Sequence, residues 1–377
     1  MKKRISLIII LLLVYVCCSS LKAQNKSSYD DDGYLRIETE QDLKDFANIV
    51  NDGDAEINAR LHADITLTDN TMIGCDFAGV LRPYKGSFDG NGHTITVNYN
   101  TSQQYTALFR YTAAGVSIEN LRVAGTITTN AKYAAGIIAL TFEELTGIPS
   151  SETTDLNRCT SSVTIISDVV GDGTHGGLVA ESNNGTVNIS NCIFDGSING
   201  TNTTMCGGLV GYVNNAVNFS NCLQMGTFNI SSDMSLSDSF VRTYENSDSG
   251  ISLSNCCYLN ALGYVRSGLV QVTNDQLASG EVTYLLNGST SDGEIAWGQN
   301  IDNGQIVEDH PVIDGATVYK KIVNDAAVYS NITNVIANGV CGDNLLWKIK
   351  EENEAKILII SGTGSMYDYD NDDNKAP

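Results

Sequence analysis

The stretch that decides the fold covers residues 176–200 and reads GGLVAESNNGTVNISNCIFDGSING. Beginning at residue 207, the chain reads GGLVGYVNNAVNFSNCLQMGTFN, so Gly-Gly-Leu-Val and Ser-Asn-Cys both recur after about 30 residues. A unit of this size cannot bury an apolar face alone, whereas stacked units bury one continuous core. The recurrence therefore predicts a repeat architecture.

Each unit offers three short apolar runs separated by turn residues, which is typical of strands. The first column of runs is ALFR (107–110), GIIA (136–139), GLVA (177–180) and GLVG (208–211). The second is SIENL (117–121), LNRC (156–159), NISNC (188–192), NFSNC (218–222) and SLSNC (252–256). The third is AGTI (124–127), SVTI (162–165), DGSI (195–198) and MGTF (225–228). If each run pairs with its equivalent in the next unit, the chain is all-β and residues 54–272 form a right-handed parallel β-helix.

The second column predicts two ladders inside the stack. Its last position holds Leu121, Cys159, Cys192, Cys222 and Cys256. Free cysteine behaves as a small apolar side chain, and neighbouring strands lie about 4.7–4.9 Å apart, which is wider than the Cβ separation that a disulfide prefers. We therefore interpret these cysteines as an unbonded interior ladder, with disulfides as the alternative.

The preceding position predicts a ladder of amides at a corner of the coil. It holds Asn120, Arg158, Asn191, Asn221 and Asn255. Asparagine tolerates the left-handed backbone conformation and can hydrogen-bond to a turn. We expect a structural role for this column rather than a catalytic one. Arg158 interrupts it after a longer loop, residues 141–155, which we expect to project from the stack.

Both ends of the stack carry signals for caps. Residues 39–53 predict an amphipathic N-terminal cap helix that follows a flexible lead-in from residue 24. Residues 273–288 predict a second helical cap, which opens a closing region that ends at residue 337. The final segment, residues 338–377, contains two strand-like runs and predicts a small β-rich partial module.

The repeated residues resemble a known family. GGLVGYVNNAVNFSNCLQMGTF (207–228) is similar to the GLUG repeat of bacterial surface and secreted proteins, and GSFDGNGHTITV (86–97) resembles the opening coils of such proteins. The resemblance implies a β-helix and surface exposure, and it implies no enzyme class. Residues 338–377 resemble the lead-in to BspA-like leucine-rich-repeat domains, so we expect the chain to be a fragment or a truncated product.

Composition and the N-terminus predict an exported protein. The formal net charge is −22, with 44 acidic and 22 basic residues, which argues against nucleic acid and anionic lipid as partners. Residues 1–23 have the basic start, apolar run and terminal small residue of a signal peptide. A lipoprotein anchored through Cys17 or Cys18 is the alternative. We expect no transmembrane span in the mature chain.

Candidate catalytic and metal-binding residues are few. Residues 166–177 read ISDVVGDGTHGG, and Asp168, Asp172 and His175 are the candidates for acid–base cleavage of a polysaccharide. A glycine-rich turn leading into a strand explains this stretch equally well. The acidic tail offers Asp368, Asp370 and Asp372 to Ca²⁺, but it lacks the glycine and closing glutamate of a calcium loop. We predict no cofactor.

Five tyrosines of the first coils are the candidates for ligand binding: Tyr84, Tyr99, Tyr105, Tyr111 and Tyr133. Packing within the coils is their alternative role. We expect a non-catalytic, exported adhesin or recognition module for glycans or for host and extracellular proteins. The alternatives are a polysaccharide-cleaving enzyme and a structural stalk that displays a leucine-rich-repeat domain absent from this chain.

Overall fold

Three parallel sheets run along the molecule and confirm the predicted parallel β-helix. A computed structural model describes residues 28–142, 152–183, 185–293, 295–302, 307–323, 325–333, 335–352 and 355–367. The predicted signal peptide with Cys17 and Cys18, most of the 141–155 loop and the acidic tail with Asp368, Asp370 and Asp372 lie outside these residues. The interior forms one continuous apolar core along the stack, from Ile37 to Leu262.

Successive coils add strands to each sheet, and all pairs in these sheets are parallel. Sheet 1 contains Leu35–Ile37, Ala59–Leu61, Ser87–Asp89, Ser117–Glu119, Thr153–Asn157, Thr186–Ser190, Ala216–Ser220 and Ile251–Ser254. Sheet 2 contains Ile65–Thr66, Thr94–Thr101, Arg122–Thr129, Thr160–Ser167, Ile193–Phe194, Ser197–Gly200, Leu223–Gln224, Thr227–Ile230, Cys257–Tyr258 and Val270–Gln271. Sheet 3 contains Phe109–Ala113, Ile138–Phe142, Val179–Asn183 and Val210–Val213.

The registers match the three columns of the sequence. In sheet 3, Ile138 pairs with Phe109 and with Val179, and Val179 pairs with Val210. In sheet 2, Ile165 pairs with Ile127 and with Ile198. The same position of each repeat therefore occupies the same place in each coil.

The repeated Gly-Gly reflects a close approach of backbones at the start of sheet 3. A Cβ atom added to Gly176 would collide with the carbonyl oxygen of Val179, and one added to Gly207 would collide with that of Val210. A collision with backbone cannot be relieved by rotating a side chain. In these two coils the position has room only for glycine, whereas Ala135 and Asp238 occupy the equivalent position in the coils before and after them.

The predicted amide ladder is present at the corner between sheets 1 and 2. The backbone is left-handed at Asn120, Asn191, Asn221 and Asn255, with φ between 51° and 56°. Asn221 Nδ2 donates to Asn191 Oδ1 at 3.0 Å, and Asn255 Nδ2 donates to Asn221 Oδ1 at 3.0 Å. Arg158 shares the left-handed backbone, with φ 53°.

Beside Arg158, the neighbouring residue Asn157 accepts the hydrogen bond that the ladder directs to this coil. Asn191 Nδ2 donates to Asn157 Oδ1 at 2.9 Å. The guanidinium of Arg158 points instead to Asp314, 3.1 Å away. The arginine therefore ties the stack to the closing region.

The four ladder cysteines are buried and unbonded, as predicted. Cys159, Cys192, Cys222 and Cys256 have no exposed surface, and each is a free thiol. Their sulfurs lie near backbone carbonyls of the same and the preceding coil, such as Cys222 Sγ at 3.3 Å from the Ile189 oxygen. Leu121, at the first position of the column, is buried as well.

Helices form at both predicted caps, but only the first packs into the core of the stack, whereas the second packs in a separate apolar cluster with Ile193, Leu223 and Cys257 of sheet 2. Helix α1, Glu40–Asp52, begins with a capping box between Thr39 and Asp42 and buries Leu43, Phe46, Ala47 and Val50. The second predicted cap consists of two short helices, α2 (Asn274–Ser279) and α3 (Glu281–Leu286). Gly280 separates them because its backbone is left-handed, with φ 85°.

The lead-in before α1 is held in place from residue 28 onward, where the sequence predicts flexibility. Arg60 Nη1 lies 2.7 Å from Asp30 and 2.8 Å from Asp32, while its Nε lies 2.8 Å from Asp89. Backbone bonds add to these contacts, such as Leu35 N–H to the Asn58 oxygen at 2.8 Å. The acidic residues that appear solvated in the sequence therefore neutralise one cation of the first coil.

Small sheets complete the molecule. The strand Thr203–Thr204 pairs in parallel with Gly171–Asp172. Residues Tyr244–Asn246 form a 3₁₀ turn. The antiparallel pairs are Cys75–Phe77 with Val80–Arg82, Trp297–Gly298 with Val312–Ile313, and Tyr319–Val323 with Ala326–Ser330. The last described strands form an antiparallel sheet of Val335–Gly342, Leu345–Glu352 and Ala355–Gly362.

The amide ladder generates a prediction on stability. Replacing Asn221 with alanine removes its hydrogen bonds to Asn191 and to Asn255. It also leaves in the left-handed conformation a residue without the amide that makes this conformation tolerable. We expect Asn221→Ala to lower the free energy of unfolding by about 2 kcal/mol, measured by urea denaturation. Asn221→Gly keeps the backbone conformation accessible, so it should lose less. Equal losses in both variants would contradict the conformational part of this argument.

The thiols generate a second prediction. Burial raises the pKa of Cys206 and of Cys257 to about 12, so neither thiol forms a reactive thiolate near neutral pH. In the native protein at pH 8, a maleimide should modify the partly exposed Cys75 and leave the buried ladder untouched. In 8 M urea all of them should react. Peptide mapping by mass spectrometry reads out each site, and rapid native labelling of Cys222 would contradict the buried ladder.

Candidate functional site

A cleft of about 360 Å³ lies beside sheet 3. Its charged side chains come from distant parts of the chain: Lys132, Asp172, Glu181, Arg242 and Glu245. Its aromatic side chains are Tyr133, Tyr212 and Tyr244. Clefts that combine apolar walls with a few convergent polar groups are the usual binding sites of proteins.

Two rows of side chains form this cleft, because the coils stack in register. Parallel bridges join Ala135 to Gly176 and Gly176 to Gly207. The residues two positions earlier, Tyr133, Thr174 and Met205, therefore follow one another along a corner. In the adjacent strands, Glu181 pairs with Tyr212 and with Leu140. The cleft lies between this corner row and this strand row.

The backbone of the corner row is left-handed, although none of its residues is glycine or asparagine, the types that favour this conformation. The φ angles are 61° at Tyr105, 72° at Tyr133, 44° at Thr174 and 58° at Met205. Bulky side chains rarely adopt such angles, and each instance costs about 1–3 kcal/mol. The amide corner has the same backbone requirement and meets it with asparagine. Strained backbone of this kind clusters at functional sites.

Three of the five tyrosines predicted to bind ligands lie together, but only Tyr133 lines the cleft, and Tyr111 is buried. The rings of Tyr105 and Tyr133 stack with centroids 4.5 Å apart and planes 4° apart. The ring of Tyr111 lies 5.7 Å from that of Tyr105. Lys132 Nζ lies 4.8 Å from the centre of the Tyr133 ring. The stacked tyrosines thus form a rigid aromatic wall, of which Tyr133 lines the cleft.

The expectation that Tyr84 and Tyr99 bind ligands at the surface is wrong. Both side chains are fully buried inside the first coils. The Tyr84 hydroxyl donates to the Ile57 oxygen at 3.0 Å, and its ring packs against that of Phe46 at 5.5 Å. The Tyr99 hydroxyl donates to the Thr71 oxygen. Their packing under the N-terminal cap accounts for them fully.

Asp172 is held by donors from three sides. Lys132 Nζ lies 2.6 Å from Oδ2, the Thr174 hydroxyl donates to Oδ1 at 2.6 Å, and Arg242 Nη1 lies 3.9 Å from Oδ1. Burial acts to raise the pKa of Asp172, but the hydrogen bonds from Lys132 and Thr174 outweigh it and hold the pKa below the usual value. This carboxylate is therefore ionised at neutral pH.

Glu181 is the second carboxyl group described in the cleft, and its environment raises its pKa rather than lowering it. Burial raises its pKa, and the charge of Asp172 adds to the increase. The hydrogen bond from the Tyr105 hydroxyl, at 3.1 Å, opposes this shift and does not cancel it. The cleft thus contains two carboxyl groups whose pKa values are shifted apart.

The three residues predicted as catalytic candidates are not brought together. His175 is fully buried, and its Nε2 forms a 2.8 Å hydrogen bond with the Ser167 hydroxyl while Nδ1 accepts one from the Ala134 amide at 3.1 Å. Burial lowers the pKa of His175 to about 4. Asp168 is exposed and does not line the cleft. Only Asp172 belongs to the site.

A buried arginine holds the opposite wall of the cleft. Arg266 donates to the Val241 oxygen at 2.8 Å and to the Thr243 hydroxyl at 2.9 Å, and its Nη1 lies 2.7 Å from Asp248. Its Nε lies 3.0 Å from the buried carboxylate of Asp238. These contacts fix the segment that carries Arg242 and Tyr244, so this wall is preorganised.

Sequence reasoning missed Glu181, Arg242 and Tyr212. Glu181 and Tyr212 are each the second residue after the Gly-Gly-Leu-Val motif, where the repeat draws attention to the apolar positions. Arg242 lies in the next coil, which lacks a clear motif. The only available signal was that a charged residue and an aromatic residue occupy the same position of consecutive repeats.

A second cleft, also about 360 Å³, follows the amide ladder. Asn120, Asn191 and Asn221 line it, and the closing region covers one side with Asn287. The ladder hydrogen bonds already account for these amides, and the nearby Arg158 is paired with Asp314. Among the described residues, no cluster of His, Cys, Asp and Glu could hold a metal ion.

Comparisons with known proteins support the fold. No family model matches the chain, and no curated protein matches it. A crystal structure from Bacteroides ovatus, provisionally described as an immunoglobulin A1 protease, is similar with a TM-score of 0.51. The two chains are 15% identical, and the alignment covers 76% of this chain and 94% of that chain. At this identity the similarity shows the β-helical fold alone.

One further observation concerns membranes. Within the part of the chain that the structure describes, no helix combines the length and the apolar character that crossing a bilayer requires.

The buried histidine generates a prediction on pH dependence. Because the pKa of His175 is about 4 in the folded chain and about 6.5 in an unfolded one, the unfolded state takes up the proton first. The neutral His175 therefore contributes to the stability of the folded state above pH 6.5. This contribution, about 3 kcal/mol, is lost as the pH falls toward 4. Relative to His175→Gln, the wild-type free energy of unfolding should fall over this range in urea titrations. A constant difference between the two proteins would contradict the buried neutral histidine.

Proposed function

We propose that this chain is an exported, surface-associated β-helical recognition module that binds a glycan in the cleft beside sheet 3. The observation that carries the proposal is the corner row of Tyr133, Thr174 and Met205, which keeps bulky side chains in a strained backbone beside a cleft lined by five charged residues. The signal-like N-terminus and the resemblance to GLUG repeats support export and surface exposure.

The chemistry of the cleft suits a sugar. Tyrosine rings offer an apolar face with a polar tip, which matches the apolar C–H face and the hydroxyl edge of a pyranose. Tyr133 and Tyr244 both line the cleft, and the carboxylate of Asp172 and the hydroxyl of Thr174 line it as well. A rigid aromatic wall also lowers the entropic cost of binding.

The charge arrangement favours a neutral glycan over an acidic one. Both cations are already engaged, since Lys132 pairs with Asp172 and Arg242 donates to the Met205 oxygen at 2.7 Å. Glu245 adds negative charge to the lining, and Glu181 adds a further carboxyl group. An acidic sugar would meet carboxylates without a free cation to neutralise it.

The aromatic wall generates a test of the proposal. Tyr244 is 72% exposed, so its truncation should leave the fold intact and remove one face of the cleft. We expect the protein to bind members of a panel of xyloglucan, galactan, arabinan and mucin oligosaccharides, and Tyr244→Ala to weaken binding roughly tenfold in calorimetry.

The matched control is Tyr29→Ala, because Tyr29 is 51% exposed and lies in the lead-in before α1. This variant should bind as the wild type does. Binding to heparin but to none of the neutral glycans would overturn the charge argument. Binding only to immobilised fibronectin or collagen would replace the glycan with a protein ligand, and binding to nothing would favour the structural stalk.

A further inference from the structure

Two carboxyl groups face the same cleft from different elements of the fold. Asp172 ends the short strand Gly171–Asp172 at the corner, while Glu181 lies in the sheet 3 strand Val179–Asn183. The charge of Asp172 acts on Glu181. Register stacking therefore places a pair of carboxyls beside the aromatic wall.

The two groups have unlike hydrogen-bonding partners. Asp172 receives a proton donor on each oxygen, from Lys132 at 2.6 Å and from Thr174 at 2.6 Å. Glu181 receives one, from the Tyr105 hydroxyl at 3.1 Å. Donors on both oxygens stabilise a carboxylate, whereas a more buried group with one donor retains its proton more readily. A pair of carboxyls with such different environments is the arrangement that separates an acid from a nucleophile.

We propose that the cleft hydrolyses a glycosidic bond of the neutral glycan that it binds, with Glu181 as the general acid and Asp172 as the nucleophile. This inference rests on the proposed function, because the reaction requires the glycan to occupy the cleft. It differs from the non-catalytic role that the sequence predicts. His175 and Asp168 take no part in the reaction.

The reaction proceeds in two balanced steps. First, an oxygen of Asp172 forms a bond to the anomeric carbon as the bond from that carbon to the glycosidic oxygen breaks, and Glu181 gives its proton to the departing oxygen. Second, water attacks the anomeric carbon, its proton passes to the Glu181 carboxylate, and the ester bond to Asp172 breaks. One water is consumed and two hydroxyl ends are released, with the anomeric configuration retained.

The assignment of the two roles follows from the contacts of Asp172. A carboxylate that Lys132 and Thr174 stabilise is a poor acceptor for a proton from water, which argues against the role of general base. The same contacts make it a good leaving group from the sugar in the second step. Lys132 and Thr174 are thus positioning residues for Asp172, as Tyr105 is for Glu181.

The decisive variant is Glu181→Gln, whose amide oxygen can still accept the Tyr105 hydrogen bond. The full chain and this variant are incubated with xyloglucan, galactan, arabinan and mucin oligosaccharides, and with 2,4-dinitrophenyl glycosides of the same sugars. We expect Glu181→Gln to lose at least 100-fold in release of reducing ends from oligosaccharides. On the dinitrophenyl glycosides, whose leaving group needs no proton, it should stay within about tenfold of the wild type.

A second variant reports on the acid itself. Tyr105→Phe removes the hydrogen bond that lowers the pKa of Glu181, so the alkaline limb of the pH–rate profile should move to higher pH. The other charged groups that act on Glu181 are Lys132, Asp172 and Arg242, and this variant leaves them in place. A purely structural role for Tyr105 would lower the rate at every pH without moving the limb.

Binding measured on the same samples separates the two proposals. Glycan binding without release of reducing ends overturns the hydrolysis and leaves the recognition module standing. Neither binding nor release overturns both. Release that survives Glu181→Gln on oligosaccharides overturns the assignment of the acid, and an inverted product anomer, observed by NMR, overturns Asp172 as the nucleophile.

Discussion

Parallel, in-register pairing between successive coils is the constraint on which the rest of this structure depends. Each coil satisfies its backbone hydrogen bonds only through the coils before and after it. The same position of every repeat is then held about 4.7–4.9 Å from its equivalents. Every row along the stack must therefore consist of side chains that tolerate one another at that distance. Amides can donate to the next amide, and small apolar thiols can stack without a bond.

The two left-handed corners show how this constraint is met in different ways. At the corner after sheet 1, Asn191, Asn221 and Asn255 suit the backbone and bond to one another. At the corner before sheet 3, Tyr133 and Met205 occupy the same conformation without either advantage. The free-energy cost of this strained backbone is offset by the favourable interactions of the surrounding coils. The first corner stabilises the fold, and the second shapes a cleft.

Buried charges set the character of that cleft more than the strongly acidic composition does. The chain has a formal charge of −22, yet Lys132 and Arg242 lie against Asp172 at the centre of the site. Arg266, itself buried, holds the wall that carries Arg242 by way of Thr243 and Val241. Lys132 and Asp172 are each about one third exposed, whereas Arg266 and Asp238 form a fully buried pair. A buried pair requires close partners, so it keeps the wall that carries Arg242 in one geometry. The result is a rigid site in which the pKa values of Asp172 and Glu181 are shifted in opposite directions.

The sequence by itself determined the fold, the amide corner, the thiol ladder and α1, because each depends on a pattern that is local or repeats at a fixed period. Thr39 and Asp42 form their capping box wherever the helix lies, and Asn221 needs only the coil above and the coil below. Gly280 was visible as a weak point of the second cap, and there the backbone turns.

Only the tertiary structure decided which tyrosines lie beside the cleft and which carboxyl groups line it. Tyr84 and Tyr105 look alike in the sequence, but one packs under the cap and the other stacks at a corner. Asp172 and Glu181 belong to different columns, and Arg242 comes from a later coil without a motif. Their proximity depends on the turns of the solenoid rather than on its period. A repeat specifies which residues stack on one another along the axis of the solenoid. The cleft instead depends on contacts between two different rows of side chains, and the period of the repeat carries no information on those contacts.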